Sequence, residues 1–183
     1  MKFAGSFSGQ DIQMGNRSVF QRLVPNVNQG GNFVRSSWDR MEPMPGGRRL
    51  FSLMVGRAAP YTGSIGAQVR ELRVGFARVT MRDRPHLRNH LSCVHAVALA
   101  NLGELTGNVA LAYSLPDDAR FIVAGMQIEY KKKARGMITG ICEAPAVDSS
   151  ERMEYEVVVS LRDESNEEVT RCVLRTLVGP KKS

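Results

Sequence analysis

Cysteine is scarce, tryptophan occurs once, and no apolar run reaches membrane length. The three cysteines, Cys93, Cys142 and Cys172, stand far apart in 183 residues, which excludes a disulfide framework and paired metal-ligand spacing. An odd cysteine count, with no signal-peptide pattern ahead of it, points to reduced thiols acting as small apolar fillers, and to a cytoplasmic location. Cys93 and His95 do not read as a nucleophile and base, because residues i and i+2 at a helix start point apart. No segment reaches the roughly 18 uninterrupted apolar residues that a membrane-spanning helix needs. Acidic residues are few in the first half. Residues 1–92 hold 14 Lys/Arg against 5 Asp/Glu, and residues 93–183 hold 11 against 13. Thirteen of the first fourteen basic residues are Arg, a choice suited to planar recognition of phosphate or carboxylate. Charge alone allows nucleic acid, an anionic small molecule or plain solvated surface. The chain has no nucleic-acid-binding motif or aromatic platform, so nucleic acid ranks last.

With 43% hydrophobic and 23% charged residues the composition is that of an ordinary globular protein, and the length suits one domain. Residues 1–36 are rich in Gly, Asn, Ser and Gln and lack hydrophobic periodicity. They read as an N-terminal extension, an arm ordered against a partner subunit. Its single acid, Asp11, and its scattered Arg17, Arg22 and Arg35 weakly resemble an organellar transit peptide, which makes mitochondria the alternative location. Residues 37–183 read as one domain, with a helical lead-in over 37–61 and a core over 62–178. In the lead-in, Trp38 and Met41 precede a Pro45-Gly46-Gly47 turn. Leu50, Phe51, Leu53, Met54 and Val55 then suit a short amphipathic helix ending before Pro60.

Ile65 to Met81 alternates as a strand, with Gly75 as a bend. His95 to Tyr113 reads as a long helix, apolar on almost every side, stopped at Leu115-Pro116-Asp117-Asp118. Four strand patterns follow, at Phe121 to Lys131, Met137 to Glu143, Met153 to Arg162 and Val169 to Val178, and hairpin pairing is expected among them. One apolar helix followed by antiparallel strands predicts an α+β fold in which the sheet curls around the helix. A narrow polar line, Asn101, Glu104 and Asn108, runs along one helix face at i, i+3 and i+7. A carboxylate on a wrapped helix is costly unless it is paired, protonated or at work.

Asn89, then His95 five intervening residues later, then Glu104 nine residues into the helix, resembles the hotdog-fold acyl-CoA thioesterases. The pattern is most similar to the phenylacetate-pathway and 4-hydroxybenzoyl-CoA thioesterase type. There an Asn or Gln precedes the motif, a His begins the helix and an Asp or Glu lies nine residues on. The resemblance covers residues 62–178, and the lead-in resembles that of a subgroup carrying Val-His-Ala at this point, here Val94-His95-Ala96. It implies a curved antiparallel sheet around one central helix and hydrolysis of acyl-CoA to free acid and coenzyme A. It also implies a homodimer or dimer of dimers, with no metal and no cofactor beyond the coenzyme A of the substrate. Helix-start amides suit a developing oxyanion, which points to those of His95 and Ala96. Nine residues span about 13.5 Å of helix, so one helix does not easily bring its own amide and its own Glu104 to one carbonyl. The family's arrangement resolves this by placing Asn89 and the amide of one subunit opposite Glu104 of the other. Glu104 then acts as general base or as nucleophile. Asn101, Asn108, Lys132 and Arg135 are the candidate substrate-binding residues, the last two for the phosphates.

The chain departs from that pattern at Ala96-Val97, where Gly-Gly is common, and at Asn108, where a hydroxyl residue often lies. Structural alternatives stand beside each role. Glu104 could pair with an Arg, His95 could cap the helix, Asn89 could end the Arg-Pro loop, and the Lys131-Lys132-Lys133 run could be a solvated strand end. A non-enzymatic acyl or acyl-CoA binding protein is the alternative function. Asp83-Arg84-Pro85-His86 faintly resembles the Asp/His loop of the hydratases of this fold, but its spacing is too short for that activity.

Overall fold

Gly46-Gly47, Pro60, Gly75 and Pro116 divide the chain much as their backbone chemistry suggests. The structure, a computed structural model, describes residues 31–181. The expected extension up to residue 30, with Arg17 and Arg22, lies outside the described residues. Helices α1 (Phe33–Met41), α2 (Gly47–Ala58) and α3 (Pro60–Gly63) lead into strands β1 (Gln68–Arg73) and β2 (Phe76–Arg82). After a short helical turn at Pro85–Leu87 come helix α4 (Ala96–Ser114) and strands β3 (Ala119–Tyr130), β4 (Met137–Glu143), β5 (Met153–Arg162) and β6 (Glu168–Pro180).

The single strand expected over Ile65 to Met81 is a hairpin. Gly75, at φ +73°, turns β1 back onto β2, a conformation glycine adopts at little cost. The six strands form one antiparallel sheet in the order β1-β2-β4-β5-β6-β3. Consecutive strands β4, β5 and β6 pair as neighbours, but β3 pairs with β6 and β4 pairs with β2. The expected hairpin between β3 and β4 is therefore replaced by a crossover. Strand alternation alone cannot specify it, because β3 suits either edge.

The sheet curls around α4 in the hotdog arrangement. Eleven of the 19 residues of α4 are buried, including Leu99, Leu102, Val109 and Leu111. Glycines let the helix lie close to the sheet: a Cβ on Gly107 would come within 2.4 Å of Leu174 Cδ1. Helices α1 and α2 close a second part of the core through Trp38 and Phe51, whose rings meet edge to face at 5.1 Å. Asn32 joins two helix ends. Its Oδ1 accepts from Arg35 N at the start of α1, and its Nδ2 donates to the carbonyls of Ala112, Tyr113 and Leu115 at the end of α4. Ser52 Oγ on α2 accepts from Val69 N, so the lead-in also covers part of the β1 edge.

Helix α4, expected to be wrapped on every side, keeps one side partly open. Val97, Ala100, Glu104 and Asn108 form its least covered stripe, with Val97 49% exposed and Glu104 and Asn108 half-buried. No helix of the described residues is long and apolar enough to cross a membrane.

Candidate functional site

The start of α4 is fixed by three backbone ties. Val94 N donates to Ala134 O at 2.9 Å, His95 N donates to Leu87 O at 2.8 Å, and Arg88 bridges Val94. His95 caps its own helix, with Nδ1 accepting from Val97 N at 3.1 Å. The pair of outward amides expected at His95 and Ala96 is thereby reduced to one. The His95 amide is satisfied by Leu87, whereas Ala96 N has no acceptor among the described residues. A helix start with an unsatisfied N–H carries partial positive charge and suits an anion.

Asn89 shapes the loop before the helix. Its Oδ1 accepts from Leu91 N at 2.9 Å and from Cys93 Sγ at 3.3 Å, and its backbone N donates to Cys93 O at 2.9 Å. Cys93 is thus bonded to Asn89 and not to His95. Burial pushes the Cys142 thiol up to about 12, with help from Glu143, and the Cys172 thiol up to about 11, so neither supplies thiolate near neutral pH.

On the open stripe, Asn108 Nδ2 lies 3.5 Å from Glu104 Oε1, and no cation pairs with Glu104 among the described residues. The structural alternative of a Glu104–Arg pair is absent there. Asn101 is buried and turns away toward α3, donating from Nδ2 to Tyr61 O at 3.0 Å, while its Oδ1 has no partner. Tyr130, which the sequence reading missed, ties the last residue of β3 to the first of α4 by donating from its hydroxyl to Ala96 O at 3.1 Å. Nothing local could signal a contact between residues so far apart in the chain.

Lys132 and Arg135 lie in different surroundings. Lys132 is bound to Asp163 and Glu167, and Lys131 to Glu168. Arg135 instead lines a cleft of about 540 Å³ with Arg82, Arg88 and Ser92. A second cavity, about 820 Å³, lies elsewhere. It opens between Phe33, Leu115, Phe121, Met153 and Val178. Its lining residue on α4, Ala112, is eight residues beyond Glu104, about 12 Å along the helix axis, and Glu104 does not line the cavity.

A curled antiparallel sheet on one long helix, with a free amide at the helix start, defines a hotdog-fold protein. Residues 47–178 match the family described as a domain of unknown function, DUF4442, and the chain belongs to that family. Among solved structures, the genomics protein APC5556 is 31% identical, with a TM-score of 0.71, and the match covers 81% of this chain and 99% of that one. PA5026 from Pseudomonas aeruginosa, described as a probable thioesterase, is 22% identical at a TM-score of 0.66, covering 75% and 97%. The thioesterase HI1161 from Haemophilus influenzae is 13% identical at a TM-score of 0.60, covering 67% and 85%. Comparison with curated proteins gives no match.

Proposed function

We propose that the protein hydrolyses acyl-CoA thioesters in a site shared between two copies of the chain. The observation that carries this reading is the pairing, on one helix, of an unsatisfied Ala96 N–H with the half-open carboxylate of Glu104. Eight residues separate them, about 12 Å of helix, too far for one carbonyl to meet both. A second copy resolves the distance. Strand β3 is an edge strand with no partner on its outer side among the described residues. A bulge between Val123 and Gly125 shifts its alternation, so that Met126, Ile128 and Tyr130 share the row from which Tyr130 reaches α4. Met126 and Tyr130 on β3 and Val97 on the α4 stripe are all large and exposed. An exposed edge next to an apolar seam favours pairing with a like edge.

In this reading the thioester carbonyl of the substrate lies at the Ala96 N–H of one subunit, near Asn89. Glu104 of the other subunit takes a proton from water, and the resulting hydroxide adds to the carbonyl carbon. The Ala96 N–H stabilises the oxyanion. Collapse breaks the C–S bond, and the coenzyme A thiolate leaves and takes up the proton. Direct attack by the Glu104 carboxylate, giving an anhydride that water then opens, uses the same placement. Asn108 steadies Glu104, and no metal or further cofactor takes part.

The test is thiol release from short, long and aromatic acyl-CoAs. Glu104→Ala is expected to lower the rate about 10²-fold or more, and a fully active variant would remove Glu104 from the mechanism. The second reading, a non-enzymatic acyl-binding protein, is favoured by the apolar cavity at the far end of α4. It predicts acyl-CoA binding with no thiol release by the wild type.

A further inference from the structure

The cleft lined by Arg82, Arg88 and Arg135 is built by sheet pairing. Strands β2 and β4 run antiparallel with Arg82 opposite Met137, so the end of one strand meets the approach to the other. Gly136, at φ +71°, turns the chain there. Asp83 organises the wall. Its carboxylate takes Arg88 Nε at 2.7 Å and Arg88 Nη2 at 3.2 Å, and it accepts from Gly136 N at 3.3 Å. The hydrogen bond from Arg88 outweighs the opposing effect of burial and holds the Asp83 carboxyl below its ordinary range, with Gly136 and Arg135 adding to it.

Arg88 is thus fixed and its charge balanced, whereas Arg82 and Arg135 are exposed and have no ion-pair partner among the described residues. The carboxylate of Glu164 lies over Gly136 and opposes them. Two unpaired guanidinium groups facing one cleft match the planar, multi-oxygen acceptor of a phosphate. Lys131 and Lys132, close by in the chain, are already held by carboxylates. Ser92, on the cleft wall, is four residues before Ala96, at most about 14 Å of chain. That separation is within reach of the pantetheine arm between a thioester and its nucleotide.

We propose that this cleft is the phosphate-binding site for the nucleotide end of coenzyme A, with Arg82 and Arg135 as the phosphate ligands. Asp83 and Arg88 form its fixed wall, and Glu164 limits its affinity. The proposal rests on the acyl-CoA reading but is tested separately from hydrolysis. Coenzyme A and inorganic pyrophosphate are titrated calorimetrically into the wild type, the Arg82→Ala/Arg135→Ala double variant and Glu164→Gln. The double variant is expected to bind coenzyme A about tenfold or more weakly, a difference that shrinks with added salt, and Glu164→Gln to bind it more tightly. In turnover, the double variant is expected to raise KM for an acyl-CoA and to leave KM for the matching acyl-pantetheine, which has no phosphate, unchanged.

Equal KM changes for both substrates, no change for either, or no coenzyme A binding by the wild type would overturn the cleft assignment. Hydrolysis by the wild type with KM indifferent to both arginines overturns the cleft while leaving the hydrolase standing. Arginine-dependent coenzyme A binding without hydrolysis does the reverse and supports the cleft.

Discussion

Glu168, at the start of β6, receives hydrogen bonds from Arg171, Lys131 and Ser160. Burial by itself would raise its pKa, but these bonds outweigh it and bring the carboxyl from 4.5 to about 2. A carboxyl whose pKa is lower in the folded chain stabilises the fold above its unfolded pKa and loses that contribution as pH falls toward the folded one. Wild-type stability is therefore expected to drop between pH 4.5 and about 2, and Glu168→Gln to fall less steeply over the same window. Urea midpoints measured across that range check this, and parallel curves for the two proteins would remove Glu168 from the acid response. The same residues explain why Lys131 reads as a charged run in the sequence but serves as a structural tie in the fold.

Asn32 shows what a single side chain does between elements. It caps α1 through Oδ1 and gathers three carbonyls at the end of α4 through Nδ2. Asn32→Ala is expected to cost about 1–2 kcal/mol of stability, read from chemical denaturation. Because Asn32 is far along α4 from Glu104, turnover by the folded fraction should be kept. Gly107 governs the contact between α4 and the sheet. A Cβ there would meet Leu174 at 2.4 Å, Val159 at 3.2 Å and Val157 at 3.3 Å. Gly107→Val is expected to destabilise by about 2 kcal/mol or more through overpacking, and a variant as stable as wild type would show that the helix can move outward freely.

At the scale of the whole molecule, the proposed site exists only if two chains share it. Ala96 is the first residue of α4, and His95 before it is extended at φ −64° and ψ 139°. Proline is accepted at a first helical position and after an extended residue, so Ala96→Pro removes the N–H and leaves the fold. Ala96→Pro and Glu104→Ala should each be inactive alone. Unfolded together and refolded as a mixture, they are expected to recover about a quarter of wild-type activity, since half of random dimers carry one intact site out of two. Recovery that stays at zero in confirmed mixed dimers would place each site within one chain.

Much of this architecture can be read locally. The long helix needs only a run of apolar residues with Pro116 beyond its end, and β4 and β5 need only alternation between turn residues. These signals lie within a few residues of the structure they specify, and the Asn89, His95 and Glu104 spacing belongs with them. Other features depend on contacts between distant segments. The sequence does not say that β3 crosses to β6, that Leu87 takes the His95 amide, that Tyr130 reaches Ala96, or that the stripe around Glu104 stays open. The Arg82–Arg135 cleft is of the same kind, since it exists only because β2 and β4 pair. Periodicity and turn chemistry are local properties of a chain and decide the elements by themselves. Which donors stay free, and which charges meet, follows from how the sheet closes around the helix, and only the tertiary structure decides that.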